Sequence, residues 1–294
     1  MADDNGSFEN LDRAGQVTAS VVRRPRFAVN LVLALAVSLS WFVLIAMSVR
    51  SATVAPGESG PGAELLPSMP FPLPAFLEQF LQLCLTPNPV GGSLASYAAL
   101  SLMWFLMALA MMLPSAAPMI RTYCEIADTA RARGEKVVHP LVLVAGYLLV
   151  WLVASLGFAG LSLGVQAMAA TPALTPVQGM AGAAALIVAG LYQFSGLKEA
   201  CLKKCRNPFT TLFSRWSTRP SRIFRLGIDQ GVWCLGCCWG LMLVMFAAGL
   251  MNVFWMALLA LFTTVEKQVD GRFPGRVAGA ILLVWAAALL LISA

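Results

Sequence analysis

Long apolar runs separated by short charged segments limit this chain to few architectures before any motif is considered. Successive runs open at Phe27, Ala95, Pro140, Val177, Gly227, Asn252 and Val277. An uninterrupted apolar stretch of about 18 residues or more is a candidate membrane-spanning helix. Of the 294 residues, 59% are hydrophobic and 12% charged, a balance that excludes a soluble domain. The expected fold class is an all-α polytopic membrane protein with about seven transmembrane helices. They fall at 27–49, 95–116, 140–163, 177–194, 227–251, 252–265 and 277–293. The sixth is short and must lean on its neighbours or begin earlier.

The net charge of +6 does not indicate nucleic acid, because the basic residues lie in short loops between apolar runs. All 20 Lys and Arg fall before Phe27, at Arg50, or within 121–136, 198–225 and 267–276. Seven crossings place every group but Arg50 on one side, which the positive-inside rule makes cytoplasmic. The N-terminus is then cytoplasmic and the C-terminus periplasmic. Residues 1–26 read as a disordered cytoplasmic tail and 27–294 as a single transmembrane helical domain, with the first run acting as a signal anchor.

The Pro- and Gly-rich segment 50–95 reads as a periplasmic loop carrying an interfacial amphipathic helix near 71–85. Pro114 and Pro118 are expected to end or kink the second span. Beyond them, 121–136 reads as a short interfacial helix and 196–226 as a basic loop. Gly179 to Gly190 is rich in small residues and reads as a surface for close helix contact. Asp229 is placed to pair with Arg225 four residues earlier, and Glu266-Lys267 to snorkel at a helix exit.

The chemistry concentrates in Trp233-Cys234-Leu235-Gly236-Cys237-Cys238-Trp239. Cys234, Cys237 and Cys238 stand at i, i+3 and i+4, so a helix carries all three thiols on one face. The second span carries Met103, Met107, Met111 and Met112. Because it runs opposite to the fifth, Met107 and Met111 come level with the cysteines. Cys201 and Cys205, also at i and i+4, lie on the cytoplasmic approach beside Lys198, Lys203 and Lys204. Thiolate and thioether ligands select Cu(I), whereas thioethers serve Zn(II) poorly, so a cysteine face opposite a methionine face favours copper. The same residues also suit a packed core, in which cysteine acts as a small hydrophobe and methionine fills gaps.

Met103-Trp104-Phe105-Leu106-Met107-Ala108-Leu109-Ala110-Met111-Met112-Leu113-Pro114 resembles the W-x-x-M-x-x-A-M-M-x-P helix of a bacterial family of predicted metal-binding integral membrane proteins. Tyr192-Gln193, Lys198, Cys201 and Cys205-Arg206-Asn207-Pro208 resemble its second block. Gly231 to Trp239 with Met242 resembles its third, and Gly249 to Met256 ending in Glu266-Lys267 its fourth. The resemblance covers about residues 95–290. It implies a metal-binding integral membrane protein, and with the sulfur chemistry above the expected function is to hold or pass Cu(I) in the inner membrane. Expected partners are the bilayer, a metal donor or acceptor protein, or other membrane subunits. The single histidine, His139, departs from a richer metal site. There is no Walker A loop, GxSxG, HExxH or CxxCH, so no reaction attaches to the cluster. A membrane subunit of a metal-dependent oxidoreductase and a metal-free transporter or structural subunit stay open as alternatives.

Overall fold

The computed structural model describes residues 25–54, 75–85, 94–169, 175–249 and 252–293, and every regular element among them is helical. The helices are α1 (Pro25–Val54), α2 (Ala75–Leu85), α3 (Leu94–Ala132), α4 (Pro140–Ala169), α5 (Thr175–Gln193) and α6 (Gly196–Arg206). They continue with α7 (Pro208–Ser214), α8 (Pro220–Leu243), α9 (Met245–Ala248), α10 (Val253–Gln268) and α11 (Phe273–Ser293). The tail assigned to 1–26 lies outside the described residues up to residue 24, as does most of the loop assigned to 50–95. Of the segment near 71–85 expected to carry an interfacial helix, residues 75–85 form α2.

Five helices are long and apolar enough to cross a membrane: α1, α3, α4, α8 with α9, and α11. A sixth span results if α5 and α6, which meet at a 66° bend, are taken as one broken span. Seven full crossings are therefore not found among the described residues. The shortfall lies in α10, whose 16 residues reach only about 24 Å against a hydrocarbon thickness of about 30 Å. Leu35, Leu39, Phe42, Val153, Leu261, Ile281 and Val284 are exposed, as expected of apolar surface that faces lipid.

Two sequence expectations fail for backbone reasons. Pro114 and Pro118 do not end α3, which runs 39 residues through both. Pro114 cannot donate to the carbonyl four residues back, and the Trp41 indole donates to that carbonyl, Ala110 O, at 3.2 Å. A freed acceptor in an apolar setting is thus satisfied by a neighbouring helix. The segment 121–132 is accordingly the last part of α3 rather than a separate interfacial helix. The region 196–226 is not a loop but α6, α7 and the first turns of α8. Ser195 caps α6, its Oγ accepting from Lys198 N at 3.1 Å, and Pro220 opens α8. At the other end of α8–α9, Gly249 adopts φ 96°, a left-handed conformation glycine reaches without strain. Asn252 then caps α10, its Oδ1 accepting from Phe254 N at 3.1 Å.

Glycines bring the helices together. A β-carbon at Gly227 would lie 2.1 Å from Leu143 O, and one at Gly146 would lie 2.1 Å from Phe224 O. The α4 and α8 backbones therefore touch, and the pairing of Gly227 with Leu143 and of Gly231 with Val150 shows that they run parallel. Gly190 meets Leu283 and Gly279 meets Gln193, so α5 and α11 run antiparallel. The small-residue surface expected on α5 is used here and against Ala247, which faces Gly182. Ion pairs Arg26–Asp128, Arg215–Asp229 and Arg272–Glu199 gather the basic segments at one end of the bundle. Arg50 pairs with Glu78 at the other end. Asp229 thus pairs with Arg215 of the segment after α7, not with Arg225 on its own helix, because the α7–α8 connection folds back over the mouth of α8.

Glu266 and Lys267 do not snorkel. Glu266 meets Lys198 at 2.6 Å, with the two side chains 3% and 2% exposed. Lys198 also donates to Gln193 Oε1, and Arg206 donates to Glu266 O at 2.9 and 3.1 Å. This network ties the last turn of α10 to the α5–α6 bend.

Gly227→Ala is expected to lower stability in detergent by about 3 kcal/mol, because two backbones must separate. Gly157→Ala is expected to be near neutral, since nothing lies within 4 Å of the added carbon. Equal melting temperatures for the two variants would contradict the contact. Lys198→Met strands the Glu266 carboxylate and is expected to cost about 3–5 kcal/mol, most of it recovered when Glu266→Leu is added. A double variant as unstable as the single one would show that the pair does not act as a unit.

Candidate metal centre

The cysteine block falls in the middle of α8, and burial confirms that its thiols share an inward face. Cys234, Cys237 and Cys238 are all buried. With α8 beginning at Pro220, Cys234 lies roughly 21 Å along the helix from its charged end. Cys237 Sγ lies 3.2 Å from Cys238 Sγ and donates to Cys234 O at 3.1 Å. Facing them is α6, where Cys205 Sγ stands 3.8 Å from Cys237 Sγ. Cys201, one turn earlier, rests on the α8 backbone: a β-carbon at Gly236 would meet its sulfur at 2.6 Å. Cys201 and Cys205, expected on the cytoplasmic approach, thus lie on the face that α6 turns to α8.

Cys234 has different neighbours. Lys267 Nζ donates to its sulfur at 3.1 Å and to Ser115 Oγ at 2.7 Å. Tyr147 OH lies 3.1 Å from the same sulfur and 3.2 Å from Met112 O. The segments that meet there are the third turn of α4, the proline-containing part of α3 and the last turn of α10. Lys267 can reach Cys234 because the Glu266–Lys198 pair fixes the turn from which it projects. A cavity of about 290 Å³ opens here, lined among others by Ser115, Tyr147, Cys205, Gln230, Cys234 and Lys267.

The methionine face expected opposite the cysteines lies on a helix that does not pack directly on α8. Met103, Met107, Met111 and Met112 are fully buried, but α3 packs on α1, α4 and α10, while α8 packs on α4, α6 and α5. The Cys and Met helices are linked instead through Tyr147 and the Lys267–Ser115 contact. His139 is exposed and its Nδ1 accepts from Leu141 N at 3.3 Å, a capping role at the start of α4. Cys84 is buried in α2, and burial pushes its thiol up to about 12.

Among the described residues, no three His, Cys, Asp or Glu side chains stand ready as a closed metal site. The donor set is nevertheless a soft one. With thiolate–metal bonds of about 2.3 Å, two sulfurs across an ion stand about 4 Å apart, which the Cys205–Cys237 pair meets at 3.8 Å. Cysteine ligates as thiolate, and an ammonium donating to sulfur, as Lys267 does, is the complement such a charge needs in an apolar interior. Sequence reasoning missed Lys267, Tyr147, Ser115 and Gln230 as neighbours of the cluster. The available signal was a charged residue, Lys267, directly after an apolar helix that has no other basic group.

A family model described as copper chaperone matches residues 101–289, well over half of the chain. No curated protein and no solved structure matches it. The matched span contains α4 to α10 whole and all but the first turns of α3, and so holds every sulfur ligand considered above except Cys84. The chain therefore belongs to the copper chaperone family.

Proposed function

We propose that this protein resides in the bacterial inner membrane with its basic end in the cytoplasm, and that it holds Cu(I) through cysteine sulfur before passing it on. The observation that carries the reading is the thiol row Cys205–Cys237–Cys238, with Cys234 beside it under Lys267 and Tyr147. Soft thiolates at this spacing favour Cu(I) over harder ions. The gathering of basic segments at the cavity end supports a cytoplasmic orientation by the positive-inside rule. Copper would then arrive by the cavity, meet Cys234, and be held between Cys205, Cys237 and Cys238.

Met103, Met107, Met111 and Met112 form a second sulfur station in this scheme. Tyr147 fixes Cys234 level with Met112, and α8 and α3 run in opposite directions. One turn further into the bundle from Cys234 therefore corresponds to the Met107–Met111 turn of α3. A metal donor on the cytoplasmic side and an acceptor beyond the methionines are the partners implied.

Protein purified from copper-fed cells is expected to carry copper with the X-ray absorption edge of Cu(I). Cys234→Ala/Cys237→Ala/Cys238→Ala is expected to lose it, and unchanged stoichiometric copper in that variant would end the proposal. Met107→Leu/Met111→Leu nearly conserves volume and should fold, at a cost below about 1.5 kcal/mol. It is expected to keep the first equivalent of Cu(I) and lose any second one. Retention of two equivalents in a titration would remove the methionines from the pathway.

A further inference from the structure

The cavity above Cys234 is too large and too well furnished for a bare ion. Its volume is about 290 Å³, room for about ten waters at their liquid volume of roughly 30 Å³ each. A copper ion with sulfur bonds of about 2.3 Å would occupy only its floor. Around that floor stand groups that donate hydrogen bonds or carry positive charge. Lys267 Nζ touches both Ser115 Oγ and Cys234 Sγ. Arg206, with its guanidinium hydrogen-bonded to Glu266 O and Gly271 O, adds a second positive charge. Gln230 is 4% exposed, and its Nε2 has no hydrogen-bond partner among the described residues. A buried amide donor left unpaired at a cavity wall is a place for an acceptor oxygen to dock. Asp270 also lines the cavity. It leaves the lining with a net positive charge from Lys267 and Arg206.

We infer that the cavity receives Cu(I) as a complex with a small thiol bearing carboxylates, and that the carrier's carboxylates dock on Lys267 and Gln230 while its sulfur faces Cys234. The inference rests on the reading that Cys234 accepts Cu(I), and it deepens that reading by naming the form in which the metal arrives. Transfer is a ligand exchange without redox change. The Cys234 sulfur forms a bond to copper as the carrier's sulfur–copper bond breaks. The proton of the Cys234 thiol leaves with the carrier, which departs as a free thiol, and copper stays Cu(I) throughout. Lys267 sits where it can complement first the incoming carboxylate and then the bound thiolate.

The test compares rates of Cu(I) loading into the full-length protein in detergent from three sources: the acetonitrile complex, the 2-mercaptoethanol complex and the mercaptosuccinate complex. Loading from acetonitrile checks the copper reading alone, and its failure would overturn that reading together with this one. If copper loads from acetonitrile, mercaptosuccinate is expected to deliver it at least about tenfold faster than neutral 2-mercaptoethanol. Lys267→Gln is expected to bring that ratio close to one, and Lys267→Arg to preserve it. Gln230→Leu, which leaves the cation in place, is expected to lower the ratio several-fold. Equal rates from the two thiols in the unaltered protein, or a ratio unmoved by both Lys267→Gln and Gln230→Leu, would refute the carrier while leaving copper binding intact. Rapid loading from a soluble copper protein with no preference among small thiols would equally refute it.

Discussion

The buried ion pair between Lys198 and Glu266 is the interaction on which the arrangement around Cys234 depends. Two opposite charges at 2.6 Å with almost no solvent contact are costly to place in an apolar interior and costlier to separate. The pair sets α10 at one height and one rotation relative to α6. Glu266 and Lys267 are neighbours in sequence, so fixing the first towards α6 directs the second towards α8, where its ammonium meets Cys234. Arg206 reinforces the same point by holding Glu266 O. A stability device and a ligand-positioning device thus occupy one turn of helix.

The rest of the bundle solves the problem of polar backbone in an apolar setting by close approach and by borrowed hydrogen bonds. Glycines at 146, 227 and 231 let α4 lie directly on α8. This contact carries Tyr147 to within 3.1 Å of Cys234. Pro114 of α3 frees Ala110 O, which Trp41 of α1 then uses, while Met112 O accepts from both Ser115 of its own helix and Tyr147 of α4. Met112 O is therefore a meeting point of α3 and α4 as well as a marker of depth. The broken α5–α6 pair is the remaining irregularity. Its bend turns α6 so that Cys205 faces Cys237, a contact that a straight continuation of α5 does not provide.

Much of this was legible in the apolar runs and in the spacing of the sulfur residues. The i, i+3, i+4 pattern put three thiols on one face, and the expectation of a metal-related family agrees with the family match over 101–289. The number of full spans was not legible, because hydropathy does not distinguish a complete crossing from a 16-residue helix such as α10 sheltered by its neighbours. The prolines were read as an end or a kink for a related reason: the donor that satisfies the carbonyl freed by Pro114 is Trp41, 69 positions from Ala110. Asp229 and Glu266 were assigned sequence-local partners, whereas their true partners, Arg215 and Lys198, come from segments brought close by folding. Periodicity reveals a face; it does not reveal what the face meets.

The openness of the thiol arrangement bears directly on what a copper chaperone must do. A closed set of four ligands suits a metal that stays, as in structural zinc sites, whereas exchange needs a free position at the metal. Here no three ligands are pre-assembled among the described residues, yet four thiols stand in neighbouring turns of two helices, and one of them borders a cavity. An ion meeting Cys234 first would find Cys237 and Cys238 on the same face of α8 and Cys205 opposite. On the proposed route each step would exchange one sulfur for another, so no step would require the ion to be stripped of soft ligands inside the apolar interior. That condition limits the height of the barrier between stations. It explains why sulfur groups spread along a path serve transfer better than the same groups closed around a point.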